Sequence, residues 1–380
     1  GWGFSYALRP YLAAIVGALF MKIAALFTES PRVLLAASRM CSVLSVTVCC
    51  FFCLRLGHRL FERRSSAVLF AVLVCFLPQV MFLGMYQNND ALSLCAVSIM
   101  LYYFAEGCER KWPVKSCVGL AVGFSAGLLS YYSIYGWILM CAIFCVLAVL
   151  TDPEIQNRGQ LICRRAALIA GICLLLAGWF FIRNALLHDG DYFGIAYERV
   201  QRARMEALGY RLHMYRSARA EGLSLAAFFR AGDHWFLRLT GWSFIGVFGY
   251  LDILLPMACY RIYYAVFVLG LLLFLLALPS RRLSRCDALL ALLVSASVIT
   301  FALHVWQSYS RDYQPQGRYV ITLMFLLGYI VAYGLDNIMP SSRKRGAEAD
   351  AICCPAAALT VLWLLLFAWA CFGTMTKMLP

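Results

Sequence analysis

Charged side chains are scarce in this sequence. Asp, Glu, Lys and Arg make up 14% of its 380 residues, whereas apolar residues make up 63%, and the mean hydropathy is +0.76. No water-soluble globular domain of this length sustains such a composition, because its surface would need many more charged groups. The sequence therefore predicts an integral membrane protein, with lipid as the solvent of most of the chain.

Cysteine and histidine motifs with metal-ligand spacing are also lacking. Most of the 17 Cys residues lie inside apolar runs, where they act as small apolar residues. Cys50 and Cys53 form a C-x-x-C, but no His or further paired Cys follows at ligand spacing. We therefore expect no disulfide framework and assign no metal ligands.

Long apolar runs recur along the chain, and a helix needs roughly 20 residues to cross the hydrocarbon of a bilayer. The stretch 116–150 is too long for one span, and its polar, aromatic middle predicts two helices joined by a turn. Residues 10–27 form one more segment, which either spans or lies along the surface. The fold class is thus an all-α, polytopic bundle of about 10–11 membrane segments. The remaining runs lie near 33–56, 66–86, 91–106, 166–186, 258–278, 287–306, 318–336 and 352–374.

Basic residues predict the orientation, because short cytoplasmic loops carry an excess of Lys and Arg. Five short loops hold three each, all on one side if the helices are counted as above, so the net charge of +14 is a topology signal and does not indicate a nucleic acid partner. The opposite side, predicted to be extracytoplasmic, receives a long, partly helical loop over 188–257. The fifteen basic residues are Arg59, Arg63, Arg64, Arg110, Lys111, Lys115, Arg158, Arg164, Arg165, Arg281, Arg282, Arg285, Arg343, Lys344 and Arg345.

Four polar clusters lie on the predicted outer side, where an ionisable group at the mouth of a bundle suggests function. The first is Leu77-Pro78-Gln79 together with residues 87–90. Here Asn88, Asn89 and Asp90 are candidates for substrate contacts. A compatible structural interpretation is that Asp90 caps the helix that begins at Ala91.

The second cluster runs from Gly178 to Asn184 and continues to Asp191. Arg183 and Asn184 are candidates for phosphate or substrate binding, although Arg183 could also simply snorkel to the lipid headgroups. Asp189 and Asp191 form a D-x-D, a pattern whose hard oxygen ligands can hold a divalent cation. No cofactor is otherwise indicated.

The third and fourth clusters precede apolar spans. Residues 241–250 alternate aromatics with glycine, which is typical of an interfacial or re-entrant segment; packing and a platform for a sugar ring are the two interpretations. In residues 310–319, Gly317 permits a close backbone approach and Arg318 offers a planar fork suited to phosphate oxygens. Gln316 and Tyr319 flank them, and an Arg that merely anchors a helix end is the alternative.

Together the four clusters carry a resemblance. In order and topology they resemble a family of bacterial polytopic membrane proteins that looks like part of the GT-C clan, which includes the protein O-mannosyltransferases and the aminoarabinose transferase of lipid A. The resemblance covers residues from about 8 to 336. The matching runs are Leu77-Pro78-Gln79, Asn88-Asn89-Asp90-Ala91-Leu92, Gly178-Trp179-Phe180-Phe181-Ile182-Arg183-Asn184, Gly190-Asp191, Ser243-Phe244-Ile245-Gly246-Val247-Phe248-Gly249 and Gln316-Gly317-Arg318-Tyr319.

The resemblance implies an inverting glycosyltransferase of the bacterial inner membrane. Its donor would be a sugar on a polyprenyl phosphate, and its acceptor an extracytoplasmic glycan, lipid or protein. Arg183 and Arg318 would stabilise the leaving phosphate, and Asp90 would orient hydroxyl groups. Residues 1–380 would then form one transmembrane domain with the loop 188–257 inserted between spans.

Two elements of the clan pattern are missing. The clan places a catalytic carboxylate in the first outer loop, but the matching residues 1–12 hold no Asp or Glu, and the nearest is Glu29. We therefore expect that the first helix and the base precede Gly1, or that the chain is inactive. The Thr-Lys often found near the turn at Ser130 and Tyr131 also lacks its Lys. A transporter or flippase and a non-catalytic envelope-assembly protein are the alternative functions, although no internal repeat of a transporter is evident.

Overall fold

The computed structural model of the chain describes residues 8–209, 217–278, 286–338 and 355–375. Its secondary structure is almost entirely α-helical, with two 3-10 helices at Tyr132–Ile134 and Gly317–Leu323 and one short antiparallel hairpin, β1 (Val247–Phe248) with β2 (Ile253–Leu254). The α-helices in chain order are α1 Leu12–Ala25, α2 Pro31–Leu60, α3 Arg64–Cys75, α4 Pro78–Gly84, α5 Asn89–Arg110, α6 Val114–Leu128, α7 Tyr135–Thr151, α8 Arg158–Leu187, α9 Ile195–Ala207, α10 Leu225–Ile245, α11 Met257–Ala277, α12 Cys286–Ser310, α13 Met324–Ile338 and α14 Pro355–Met375.

Eight helical segments in the described part of the chain are long and apolar enough to cross a membrane, and α3 with α4 can make a ninth, bent span. The helices α1 and α6 are apolar but shorter. These elements confirm the predicted all-α polytopic bundle. They also confirm that 116–150 holds two helices, since α6 and α7 flank a turn.

The run 66–86 is not the single continuous span that the sequence predicted. Helix α3 ends at Cys75, α4 begins at Pro78, and the two axes differ by 64°. Proline explains the break, because it cannot donate to a preceding turn and it disfavours a helical conformation in the residue before it. The Phe76 carbonyl at the break accepts a hydrogen bond from the Trp363 indole at 3.0 Å, which satisfies a backbone group that lipid could not.

Ion pairs gather several of the basic loops at one end of the bundle, which we call the inner end. Arg59 pairs with Glu106 at 2.8 Å, and Lys111 pairs with Glu154 at the same distance. The Asp336 carboxylate, at the end of α13, accepts from the backbone N–H of Arg63 at 3.3 Å. These contacts bring together the loops after α2, α5, α7 and α13, in agreement with the prediction that these loops share one side. The basic residues at 281–285 and 343–345 lie outside the described residues.

The predicted outer loop 188–257 contains α9, α10 and the β1–β2 hairpin. Helix formation was expected over 198–219, and α9 covers its first part, while residues 210–216 lie outside the described chain. Helix α10 is interrupted by non-helical backbone from Ala231 to His234. The segment 241–250 is therefore the end of α10 followed by the first strand of the hairpin.

Removing the Glu106 carboxylate is expected to destabilise the inner end. The Glu106 side chain is 2% exposed, and it accepts from Arg59 and from the Ser116 hydroxyl. Glu106→Ala leaves the buried Ser116 hydroxyl without its acceptor and removes the buried partner of Arg59, which keeps Glu109 and Tyr102, so we expect a loss of about 3 kcal/mol in the free energy of unfolding. Unfolding in a mixed-detergent titration measures that loss.

Glu109→Ala is the matched control, because Glu109 also pairs with Arg59 but its side chain is 56% exposed. The control should lose less than about 1 kcal/mol. Equal losses in the two variants would contradict the burial argument.

Candidate functional site

The third and fourth sequence clusters meet at the end of the bundle opposite the ion pairs, which we call the outer end. The Gly317 N–H donates to the Ser243 hydroxyl at 2.7 Å. A Cβ on Gly317 would lie 2.1 Å from the Phe244 nitrogen and 2.4 Å from the Thr240 oxygen. Only glycine permits this approach, which fixes where the 3-10 helix that carries Arg318 begins.

The first cluster joins the same region through Gln79, which is 4% exposed. Its Oε1 accepts from the Val247 N–H at 3.2 Å. A Cβ on Gly246 would lie 3.0 Å from the Pro78 Cβ, so the backbone of the hairpin and the start of α4 are closely packed. The broken span thus supports the hairpin that follows α10.

Asn88, and not Asp90, caps helix α5. The Asn88 Oδ1 accepts from the Ala91 N–H at 2.9 Å, and its Nδ2 donates to the Tyr86 carbonyl at 2.7 Å. The interpretation of Asp90 as the cap was therefore wrong, since Asn fills that role equally well. Asn89 donates to the Pro10 carbonyl at 3.3 Å. Both asparagines make structural contacts, and Asp90 is left for another role.

Asp90 and Arg318 form the centre of the site. Asp90 is 7% exposed and lies in the first turn of α5, where the helix dipole favours a negative charge. The Arg318 guanidinium interacts electrostatically with Asp90 and donates to the Tyr319 hydroxyl at 3.1 Å. Its Nε is buried and has no hydrogen-bond partner among the described residues. A partly buried cation therefore keeps a buried N–H available for a ligand.

Tyr86 completes this charged group. Its phenol lies beside Arg318, and burial raises the pKa of Tyr86, with Asp90 adding to the rise and Arg318 opposing it. The phenol therefore stays protonated at neutral pH and can donate a hydrogen bond to an anion. The motif-based interpretation of the sequence did not single out Tyr86.

An aromatic wall adjoins Arg318. The Tyr131 and Tyr319 rings stack with their centroids 6.0 Å apart and their planes 14° apart, and the guanidinium lies 4.9 Å from the Tyr319 centroid. Burial also raises the pKa of the Tyr131 phenol. His304 lies 5.9 Å from Tyr319, between centroids, and stacks on Phe236 at 5.3 Å. Such a wall can support the apolar face of a sugar ring.

His304 was missed by the sequence interpretation. It is 6% exposed, and its Nε2 is buried without a hydrogen-bond partner in the described chain. A lone histidine inside the apolar run of α12 is the only signal that the sequence offers. Its spatial relation to Tyr319 depends on how α12 packs against the 3-10 helix.

The second cluster contacts and positions residues 8–12. The family resemblance matched these residues to the first outer loop of the clan. The Asn184 Nδ2, fully buried, donates to the Leu8 carbonyl at 3.3 Å, and Arg183 donates to the Asn184 Oδ1 at 3.0 Å. Tyr11 packs edge-on against Phe180 with centroids 5.6 Å apart. Arg183 and Asn184 therefore belong to a group around Leu8, separate from the contacts made by Arg318.

The D-x-D motif has the geometry of a helix cap. The Asp191 Oδ1 accepts from the Ile195 N–H at 3.2 Å, and its Oδ2 accepts from the Tyr197 N–H at 2.9 Å. Both carboxylate oxygens therefore serve the start of α9. Asp189 has a positive φ of 50° in the preceding turn. This arrangement explains the motif without a cation.

Gln316 belongs to a chain of amide contacts. Its Nε2 donates to the Gln314 Oε1 at 2.6 Å, and the Gln314 Nε2 donates to the Asp312 Oδ2 at 2.9 Å. These bonds hold the segment that leads to Gly317. Gln316 thus positions the site through the backbone.

Fold and site together define a polytopic membrane protein with a partly buried cation beside a buried carboxylate at one end of its helical bundle. The chain belongs to the family described as predicted membrane protein (DUF2142), whose model matches residues 3–327. No protein with a curated description matches it.

Solved structures with a similar fold include the oligosaccharyltransferase of Archaeoglobus fulgidus. Its crystal structure with Zn and sulfate superposes with a TM-score of 0.53 at 14% identity, over 97% of this chain and 45% of that one. A structure of the oligosaccharyltransferase AglB from the same archaeon, in complex with an inhibitory peptide and a dolichol-phosphate, gives a TM-score of 0.52 at 13% identity, over 96% of this chain and 48% of that one. The chain spans less than half the length of these structures, and at such identities the likeness shows a shared fold alone.

Gly317→Ala should disrupt the site by steric clash. The new Cβ would overlap backbone atoms of α10, which cannot rotate away, so we expect a loss of about 3 kcal/mol or more in the free energy of unfolding. Gly171→Ala is the control, because nothing lies within 4 Å of its Cβ position. The mixed-detergent unfolding titration compares the two variants, and an unchanged Gly317→Ala stability would contradict the close contact.

Asp191→Asn should keep one of the two hydrogen bonds to the start of α9, because the amide oxygen accepts and the amide nitrogen cannot, whereas Asp191→Ala should lose both and weaken the start of the helix by about 1 kcal/mol. Hydrogen exchange at the amides of Ile195 and Tyr197 measures the difference. A cation site would behave otherwise: added Mg²⁺ would then protect these amides in the wild type and not in Asp191→Asn.

Proposed function

We propose that this protein is a membrane glycosyltransferase that moves a sugar from a polyprenyl-phosphate carrier to an acceptor on the extracytoplasmic face. The observation that carries the proposal is Arg318, a partly buried cation whose buried Nε–H has no partner in the described chain and which interacts electrostatically with the Asp90 carboxylate. An unsatisfied charged donor is costly unless a ligand accepts from it. A lipid-linked phosphate at the end of a bundle is such a ligand.

The leaving phosphate is the part of the reaction that Arg318 serves. As the bond between the anomeric carbon and the phosphate oxygen breaks, negative charge builds on that oxygen, and a preorganised cation stabilises it most in a dry site. The neighbouring Tyr86 and Tyr319 hydroxyls can add hydrogen bonds to the same oxygens. Arg318 can offer two parallel N–H groups, which a Lys could not.

Asp90 is the carboxylate that we assign to the acceptor side. It is buried and near the cation without forming a direct ion pair among the described contacts, so a hydroxyl group can lie between them. There Asp90 orients the attacking hydroxyl, and it can accept the proton in place of the carboxylate that the clan pattern puts in residues 1–12 and that is missing there. Attack from the face opposite the phosphate inverts the configuration of the sugar carbon.

The position of the buried charges favours transfer over transport. Among described residues the buried charged side chains are Arg63, Asp90, Glu106 and Asp336, all near the ends of helices. Transporters typically place such groups near the midplane on paired, broken helices. The archaeal structure solved with a dolichol-phosphate has a related fold, which supports a lipid-linked donor. We propose the bacterial inner membrane as the location, with membrane lipids around the bundle and a glycan, lipid or protein acceptor.

Arg318→Ala should abolish transfer without preventing membrane insertion. Loss of a donor to the developing charge costs on the order of 10²–10³ in rate, and Arg318→Lys should recover part of it because the charge remains. Transfer from a panel of radiolabelled polyprenyl-phosphate sugars, in membranes that contain each variant at matched amounts, measures the effect.

Arg311→Ala is the matched control, since Arg311 is exposed in the same outer segment. It should transfer at the wild-type rate. Equal transfer by the Arg318→Ala variant, or no transfer by the wild type from any donor, would contradict the proposal.

A further inference from the structure

Three cysteines converge inside the bundle, away from the site described above. Cys49 and Cys53 lie four residues apart in α2 and therefore share one face of that helix. Cys75 is the last residue of α3, next to the break in the bent span. The Sγ atoms of Cys49 and Cys53 are 3.9 Å apart, and those of Cys75 and Cys49 are 4.0 Å apart.

The triangle of sulfur atoms has the size of a metal–thiolate site. All three Sγ atoms lie within 4.8 Å of one another. An ion at the centre of a triangle with these sides would be about 2.3 to 2.5 Å from each sulfur, close to the metal–thiolate distance of about 2.3 Å. No large movement of backbone or side chains is needed to bring the three ligands together.

The burial and the chemistry of the three thiols determine which class of ion they would bind. The three residues are 0%, 0% and 1% exposed, so the ligands are sulfur atoms in an apolar interior. Soft thiolate ligands favour Cu(I) and Zn²⁺ over hard cations. Structural Zn²⁺ is almost always four-coordinate, whereas three sulfur atoms form the triangle; the Cys50 thiol contacts Cys75 but lies outside it. The Ser98 hydroxyl donates to the Cys95 carbonyl at 2.7 Å and also lies close enough to hydrogen-bond the Cys49 sulfur, so it can turn to that sulfur as an outer partner.

We propose that Cys49, Cys53 and Cys75 form a binding site for a soft, thiophilic cation, with Cu(I) as its representative. Binding would release the protons of the thiols that coordinate as thiolates. The ion would tie α2 to the end of α3, two residues before Leu77. It would thereby keep the bend between α3 and α4 in the geometry that places Gln79 against Val247 of the hairpin.

Cu(I) binding by the purified, reduced protein tests the site directly. In competition with a Cu(I) chelator, we expect one ion retained per chain, X-ray absorption that shows sulfur neighbours alone, and a higher melting temperature with Cu(I). Cys49→Ser and Cys75→Ser should each lose the retained ion and the thermal shift. Cys117→Ser is the control, because Cys117 is also 0% exposed but lies outside the triangle.

A second measurement needs no variant. The native protein is first labelled with and without Ag(I), and it is then denatured and alkylated. Ag(I) should protect Cys49, Cys53 and Cys75 from alkylation at a lower Ag(I) concentration than it protects Cys117. No retained ion in the wild type, equal retention by Cys75→Ser, or a Cys49–Cys75 disulfide in protein isolated from membranes would each overturn the proposal.

Discussion

Gly317 lies with its N–H against the Ser243 hydroxyl, and its α-carbon leaves no room for a side chain beside the backbone of α10. This close contact determines where the 3-10 helix begins, and therefore where Arg318 and Tyr319 point. A partly buried guanidinium keeps its position only if the surrounding packing holds it there, because part of its solvation in water is lost. The arrangement of Asp90, Arg318 and the aromatic wall thus depends on a position where only glycine fits.

The charged and polar groups at the two ends of the bundle differ in their hydrogen-bond and ion-pair partners. At the inner end, Glu106 pairs with Arg59 and Asp336 accepts from the backbone of Arg63, so these groups have partners within the protein. At the outer end, the Arg318 Nε and the His304 Nε2 have none in the described chain. Partnered charges are what a structural role requires, whereas unpartnered donors in a buried site indicate a ligand. The Arg165 Nε on the inner side also has no partner in the described chain, so what distinguishes the outer end is that its unpartnered cation lies near a buried carboxylate, Asp90.

The apolar runs were sufficient to predict the membrane helices, because each span must satisfy its backbone hydrogen bonds internally over a fixed length. The residue types alone did not decide three other features: the cap of α5, the break in 66–86 and the role of the D-x-D motif. Asn88 and Asp90 are both good caps, and only the position of the first turn decides between them. Pro78 signalled a break that the hydropathy of 66–86 concealed. The D-x-D motif is equally compatible with a cation and with a helix cap, and the backbone places Asp191 at the start of α9.

Contacts between residues that are distant in sequence could not be predicted from the sequence pattern. His304 meets Tyr319 and Cys75 meets Cys49 because separate helices pack together, and no spacing along the chain encodes those contacts. The same limit applies to Tyr86, whose importance comes from its neighbours in space. By contrast, Gly317 and Arg318 could be singled out, since a glycine before an outward arginine has a direct physical meaning.

The most direct test of the central claim is a structure of the protein in lipid nanodiscs with a polyprenyl phosphate added. The account predicts phosphate density at the outer end, within about 2.7–3.2 Å of the Arg318 Nε, with the lipid chain leaving between helices into the bilayer. Phosphate bound elsewhere, with the region between Asp90 and Arg318 occupied by water alone, would contradict it.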